Sequence, residues 1–437
     1  MAKIALTTLG CKVNQYETAG LTEELSRRGF TIAPFTSTAD VYIINTCTVT
    51  AKTDCQSRQL IRRAHRMNPE ASIIVTGCYA QTASAELAKL PGVALVVGTE
   101  QKTAIPDILE SGIHRYNGFA MTDISEHTGF SDLPVTEFPG HTRAFLKIQD
   151  GCDAFCSYCI IPYARGRSRS MPGHEVLRRM HRLRNAGYRE IVLSGVHLGH
   201  WGLDFPHLVT LLDLLRRIEI EKIVQRLRIS SIEPTELTDD MIRHIAESEL
   251  ICPHLHIPLQ SGDDDILKVM NRHYRSGQFK NIIEAVVSAI PGVAIGIDVM
   301  VGFPGEGERE FENTLALIKD LPVAYLHVFP YSARPGTTAA TLTGQVPESV
   351  KKQRGKILRD LGRKKRIAYN SKFIGKKLSV LVEDTADRDS GMMKGFSRNY
   401  IPVLIENGEA QMSNQIVTVI AENPTGGKIV GRKTSHF

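Results

Sequence analysis

A chain of 437 residues is too long for one compact domain and sets an expectation of two or three. Its 42% apolar residues furnish an ordinary globular core, and no apolar run approaches the length of a membrane span, so no membrane partner is expected. The formal charge of +6 is mild and says little by itself about an anionic partner.

The first segment, MAKIALTTLGCKVNQYE, lacks a secretory-signal pattern, which predicts a cytoplasmic protein. In that compartment eight cysteines point to metal binding or catalysis rather than disulfides. Residues 1–115 read as a small α/β domain. Apolar runs at 4–9, 41–45, 72–76 and 93–97 alternate with helical patterns at about 14–28, 51–67 and up to about 90, the pattern of a parallel sheet. Cys11, Cys47 and Cys78 each follow one of these strands, in IALTTLGC, VYIINTC and SIIVTGC. Ligands of an open parallel sheet bind beyond the carboxyl ends of its strands, so three thiols delivered to that edge can converge on one metal cluster. Three unrelated buried cysteines are the alternative. Cys55 and Cys252 read as ordinary core or surface thiols.

Residues 98–139, punctuated by Gly and Pro, read as a connector. From Arg143 the alternation restarts, with strands expected at 144–149, 190–194, 226–232, 254–259, 294–301 and 325–330. Six such repeats within residues 138–370 suggest a partial (β/α)6 barrel, whose chemistry gathers at the C-terminal ends of the strands. The first strand runs into GCDAFCSYCIIPYARGRSR, which spaces Cys152, Cys156 and Cys159 as C-x3-C-x2-C. Three thiolates in one loop can hold three corners of an iron–sulfur cube and leave the fourth iron open, whereas a structural zinc site needs a fourth ligand that the segment lacks. Arg165, Arg167 and Arg169 follow directly and place cations beside that loop. His254 and His256 alternate on one strand and face one side; satisfied polar residues inside a barrel are the expected reading, with a metal pair as the alternative.

From 347 to 377 the chain is helical in pattern and holds twelve Lys or Arg against two acids, among them Lys351, Lys352, Arg363, Lys364, Lys365 and Arg366. Such clustering favours phosphate contacts, with a solvated helix face as the alternative. Residues 371–437 read as a small antiparallel β-barrel, with short strands at KLSVLVED, 400–406, 415–420 and GKIVGRK. Lys394, Phe396, Arg398 and Tyr400 interleave cations with aromatics that could stack on bases, or else form an ordinary hairpin surface.

The C-x3-C-x2-C loop resembles the signature of the radical S-adenosylmethionine (SAM) enzymes. The order of a three-cysteine domain, this loop in a barrel and a terminal small β-barrel resembles the methylthiotransferases among them. The likeness rests on LGCKVNQYE, INTCTVT, VTGCYAQ, IQDGCDAFCSYCIIPYARGRSRS, SSIEP, HIPLQSG, VMVGFPGE and FPYSARPGT, and spans essentially the whole chain. LGCKVNQYE and LSGVHLGHWG are similar to the branch that modifies N6-threonylcarbamoyladenosine in tRNA. The other branches act on isopentenyladenosine in tRNA and on an aspartate of a ribosomal protein. Gly307 stands where the family more often has Thr.

The resemblance implies two [4Fe–4S] clusters, one on Cys152, Cys156 and Cys159 and an auxiliary one on Cys11, Cys47 and Cys78. It implies two SAM molecules per turnover, one yielding a 5′-deoxyadenosyl radical and one a methyl group, with sulfur inserted at C2 of the adenosine at tRNA position 37. Polar groups at the strand ends suit SAM: Ser194 and Gly195 for the methionine amino group, and Ser231, Glu233, Gln260 and Asp298 for the ribose and its neighbours. Expected partners are the tRNA anticodon stem-loop, a one-electron reductant such as flavodoxin or ferredoxin, and a sulfur donor. A reading from another class is a non-catalytic RNA-binding metalloprotein.

Overall fold

The computed structural model describes residues 2–138 and 140–434. Six parallel strands, β1 (Lys3–Thr8), β2 (Thr31–Ala33), β3 (Val41–Thr46), β4 (Ser72–Gly77), β5 (Val93–Val97) and β6 (Phe119–Ala120), form one sheet in the order β2-β1-β3-β4-β5-β6. Side chains of successive strand residues point to opposite faces. One face therefore packs Tyr42, Ile44, Ile73 and Val75 against the helix Ala51–Met67, and the other packs Ile43, Ile74 and Leu95 against the helix Lys12–Arg27. The stretch expected as a connector is partly structural. Its helix Ile105–Ser111 buries Ile105 and Ile108 on the second face, and Phe119–Ala120 supplies the sixth strand.

The second body is built on β7 (Ala144–Lys147), β10 (Glu190–Ser194), β11 (Arg226–Ile229), β12 (His254–His256), β13 (Ala294–Val301) and β14 (Tyr325–Pro330), all parallel. Between β7 and β10 the short antiparallel pair β8 (Gln149–Asp150) and β9 (Arg169–Ser170) brackets the cysteine loop. The six parallel strands hydrogen-bond as two sets of three. Bridges from Leu227 to Ile251 and from Ser231 to His256 join the sets into one curved, open barrel. The basic segment is the helix Glu348–Ser371, which lies along β14 and buries Leu358 and Gly362; a Cβ on Gly362 would meet Leu326 at 3.2 Å.

The third body is a closed barrel, β15 (Lys377–Ala386), β16 (Met393–Ser397), β17 (Pro402–Glu406), β18 (Ile416–Thr425) and β19 (Lys428–Lys433), ordered β15-β16-β17-β19-β18. Sequence alone marks β16 only as a cation–aromatic stretch. It alternates buried and half-buried residues, as one wall of a small barrel must. This barrel covers the N-terminal strand ends of the second body. Arg226 donates to Ser379 Oγ (2.8 Å) and the Phe396 carbonyl, Arg228 to the Arg398 carbonyl, and Arg143 pairs with Glu383 at 2.9 Å. Among the described residues no helix is long and apolar enough to cross a membrane.

Candidate functional site

The parallel sheet delivers three thiols to one edge by register. Thr8 pairs with Asn45 and Thr46 with Gly77, so the chain leaves β1, β3 and β4 at nearly one level, just before Cys11, Cys47 and Cys78. Gly10 and Gly77 make that crowding possible. Gly10 has φ +100° and a Cβ there would lie 2.7 Å from Cys47 Cβ; Gly77 has φ +95° and would meet the Thr46 carbonyl at 2.3 Å. Burial pushes the Cys47 thiol up to about 11, with Cys78 and Cys11 adding to the rise, so the three sulfurs act on one another.

The second set sits in the loop that β8 and β9 bracket. Phe155 takes φ +43°, and the Asn271 side-chain amide donates to the Ala154 and Phe155 carbonyls at 3.2 and 3.1 Å, fixing the bend between Cys152 and Cys156. A ring nitrogen of His197 lies 3.4 Å from Cys152 Sγ, and the other lies 2.6 Å from Glu236. Arg272 donates to Cys156 Sγ at 3.5 Å while paired with Glu233. Such donors stabilise thiolate sulfur. Burial pushes the Cys159 thiol up to about 12. Among the described residues neither thiol set gathers its three sulfurs within 4.8 Å of one another, as one ion would require. Two thiol triads, with Cys11 exposed and the other five thiols half-buried or buried, each too widely spaced among the described residues for one ion, match the donor set of a cube-shaped cluster.

Arg165 joins the two sets. Its guanidinium donates to Cys78 Sγ (3.3 Å), Glu17 (2.9 Å), Asp150 (2.9 Å) and Asn14 Oδ1 (2.6 Å), and Lys102 and Lys147 complete the cluster against Glu17. Its placement corrects an expectation. Arg165 is buried and spent on carboxylates, so it cannot reach an RNA phosphate. Arg169 is likewise buried, donating to the Arg165 and Arg167 carbonyls. Lys351 is buried too, its amine on the Tyr331 carbonyl and its stem over Gly302. Arg167, Lys352, Arg363 and Lys364 are exposed, whereas Lys365 is half-buried on the Leu321 carbonyl and Arg366 lies 4.9 Å over the Tyr325 ring. Glu17, Asn14, Lys102, His197 and Arg272 were not anticipated. For Asn14 and Glu17 the signal was present: they fall three and six residues after Cys11, on the helical face that turns toward it.

A cavity of about 700 Å³ lies where the three bodies meet. Gly10, Cys11 and Lys12 enter it from the first body; Ser194, Gly195, Ser231 and Asp298 face it from the second; Phe396 and Tyr400 close it from the third. Asp298 accepts from His256 (2.9 Å) and lies 3.4 Å from His327; burial opposes its charge, but the two imidazoles hold its carboxyl below the usual range. Glu233 faces Arg272 instead, and burial raises its carboxyl despite that partner. Gln260, at φ +64°, lines a neighbouring cavity of about 180 Å³ together with Cys159. The cation–aromatic stretch turns inward: Phe396 and Tyr400 stack at 4.8 Å and Arg398 donates to the Glu249 carbonyl. Gly307 caps no helix through a side chain; its N–H donates to Glu310 at 2.9 Å.

Residues 3–98 match the uncharacterised protein family UPF0004, and residues 146–318 match the radical SAM superfamily. Over 429 residues the chain is 42% identical to the threonylcarbamoyladenosine tRNA methylthiotransferase MtaB of Bacillus subtilis (strain 168), covering 96% of this chain and 93% of that protein. The chain belongs to the methylthiotransferase family of radical SAM enzymes. Other relatives in the family are MtaB of Thermotoga maritima, 37% identical over 92% of this chain and 91% of that one, and a tRNA-2-methylthio-N(6)-dimethylallyladenosine synthase of Clostridium botulinum (strain Loch Maree / Type A3), 32% identical over 98% and 93%. Membership in the radical SAM superfamily implies a [4Fe–4S] cluster and SAM. Among solved structures, the radical SAM methyltransferase TsrM from Kitasatospora setae shares the fold, with a TM-score of 0.57 at 13% identity over 77% of each chain.

Proposed function

We propose that this methylthiotransferase acts on tRNA, inserting sulfur at C2 of N6-threonylcarbamoyladenosine at position 37 and methylating it to the 2-methylthio derivative. The observation that carries the reading is the shared cavity: Cys11 of the sheet set lines it together with Ser194 and Gly195, and the chain following them places His197 on Cys152 of the loop set. A substrate there lies between two thiol sets. The loop set holds the radical-generating [4Fe–4S] cluster and the sheet set an auxiliary one; when bound, they supply the electron that cleaves SAM and the sulfur that is transferred.

The chain's own residues bind, orient and exclude water. Ser194, Gly195, Ser231 and Asp298 present polar groups to SAM along the strand ends, and Phe396 and Tyr400 seal the far end of the cavity so that a reactive radical meets substrate rather than solvent. The exposed Arg167, Lys352, Arg363 and Lys364 meet the phosphates of the anticodon stem-loop. A flavodoxin- or ferredoxin-type reductant and a sulfur donor complete the turnover, which uses two SAM. The test is mass spectrometry of tRNA nucleosides after anaerobic incubation of the reconstituted protein with SAM, dithionite and sulfide. A 2-methylthio product on threonylcarbamoyladenosine is expected. Product confined to isopentenyladenosine, or to a ribosomal protein in a parallel reaction, overturns the substrate.

A further inference from the structure

Two cations line the cavity, and neither the Lys12 ammonium nor the Nη2 of Arg228 has an acid partner among the described residues. Arg228 is 2% exposed. Its Nε donates to Glu190 (2.8 Å) and its Nη1 to the Arg398 carbonyl (3.1 Å), but its Nη2, though buried, has no partner among the described residues. Lys12, an exposed residue, lines the same cavity from the first body and makes no ion pair or hydrogen bond among the described residues; the charges acting on it include the guanidinium of Arg228 itself. The neighbouring acids are already engaged: Glu190 with Arg228 and Arg226, Glu383 with Arg143, Asp298 with His256 and His327. Ser230 Oγ and His254 Nδ1, lining the same space, are buried and unpartnered as well. Native proteins rarely leave buried donors unpaired, and a converging group of them marks a ligand's place.

The occupant's shape follows from the walls. Tyr400 lies under the Arg228 guanidinium at 4.8 Å and stacks on Phe396, so the cation pair stands over an aromatic surface. A cavity of about 700 Å³ falls within the roughly 300–1,000 Å³ of small-molecule sites. It suits a planar group carrying one anionic branch.

We propose that Lys12 and the free Nη2 of Arg228 receive the carboxylate of the threonine moiety on the substrate adenosine. The proposal rests on the substrate reading above and names the residues that enforce it. A dimethylallyl group carries no polar atom, so its entry leaves the buried Nη2 of Arg228 unpaired and sets an apolar group beside the Lys12 ammonium. A site built to hydrogen-bond one substrate rejects an analogue that lacks the group for this reason.

The test uses full-length, cluster-reconstituted protein and three synthetic anticodon stem-loops that differ only at position 37: threonylcarbamoyladenosine, its methyl ester, and unmodified adenosine. All three keep the same phosphates. The wild type is expected to bind the acid at least about ten-fold tighter than the ester or the unmodified loop, and Lys12→Met to bind the three within about two-fold of one another. Iron content reports whether the variant folds, and Lys12→Gln serves if Lys12→Met loses iron; the ester comparison needs no substitution. Equal wild-type affinity for acid and ester overturns the proposal. A Lys12→Met variant that weakens all three loops alike assigns the lysine to a backbone phosphate and also overturns it. So does loss of SAM binding with discrimination intact, which assigns the lysine to the carboxylate of SAM. Failure of the wild type to form any 2-methylthio product on the threonylcarbamoyl loop removes the substrate reading, whereas product with an indifferent binding series removes only the carboxylate receptor.

Discussion

The two thiol sets are assembled in opposite ways. Cys152, Cys156 and Cys159 belong to one continuous loop, held by the short ladder of β8 and β9 and by the Asn271 amide on two carbonyls. Cys11, Cys47 and Cys78 come from three separate strand ends, and their meeting depends on the register of β1, β3 and β4, on two glycines at positive φ, and on a buried arginine from the other body. A loop site is specified locally and survives small shifts of the scaffold. A sheet-edge site is specified by topology, so anything that disturbs the sheet or its docking disturbs the site. The two sets should therefore fail separately and for different reasons.

The largest effect comes from removing either set outright. With four irons per set, Cys152→Ala/Cys156→Ala/Cys159→Ala should lower iron from about eight to about four per chain and end 5′-deoxyadenosine formation. A reconstituted triple variant that still releases 5′-deoxyadenosine breaks the assignment of that loop. The complementary Cys11→Ala/Cys47→Ala/Cys78→Ala variant should also hold about four irons yet continue to cleave SAM, while no methylthio product forms on tRNA. Methylthio product from this variant, with its second iron site shown to be empty, would mean that sulfur arrives by another route.

A smaller effect probes the dependence of the sheet set on docking. Arg165→Met leaves Glu17 and Asp150 buried without their main partner, which should cost about 3–5 kcal/mol. Urea unfolding should register that loss, and iron should fall toward the content of the loop set alone. Loss of the loop set instead would reverse the comparison. The same cluster makes a pH prediction. Burial works against the charge of Glu17, but Arg165, Lys102 and Lys147 outweigh it and hold the carboxyl well below the usual range. A depressed folded-state pKa contributes stability that is complete above the unfolded value of about 4.3 and is lost as pH falls through the folded value. The stability gap between wild type and Glu17→Gln should thus stay constant from neutral pH down to about 5 and narrow only at more acid pH. A gap that already narrows near neutrality would place the ionisation elsewhere.

Sequence periodicity located most strands because buried parallel strands read as apolar runs, and the spacing of three cysteines in one loop needed no structure to be noticed. The positions of Cys11, Cys47 and Cys78 were legible for a topological reason: parallel strands send their carboxyl ends to one edge. Side-chain destination was less legible. Arg165, Arg169 and Lys351 have the composition of phosphate ligands, but a cation is assigned by what lies opposite it, and Glu17 lies 148 residues from Arg165 in the chain. The inward turn of Phe396 and Tyr400 depends in the same way on where the small barrel docks. Phe119–Ala120 was missed because a two-residue edge strand carries no period.

The smallest effect concerns the helix Glu348–Ser371, where buried and exposed cations share one element. Lys351 and Arg354 are inside, on the Tyr331 carbonyl and on Glu306, and Leu358 is in the core of the open barrel. Deleting the helix would therefore test folding rather than RNA binding. The exposed face is separable. Lys352, Arg363 and Lys364 point to solvent, and of these three only Arg363 pairs with an acid among the described residues, Asp360 at 2.5 Å. Exposed pairs of that kind contribute little stability, so Lys352→Glu/Arg363→Glu/Lys364→Glu should keep its iron and its unfolding midpoint. Withdrawing a cation from an RNA phosphate should weaken tRNA binding and make the log–log salt slope shallower by about 0.9, hence by up to about 2.7 for all three. A slope equal to that of the wild type would return this face to solvent alone, and would leave Arg167, beside the cysteine loop, to carry the RNA contact.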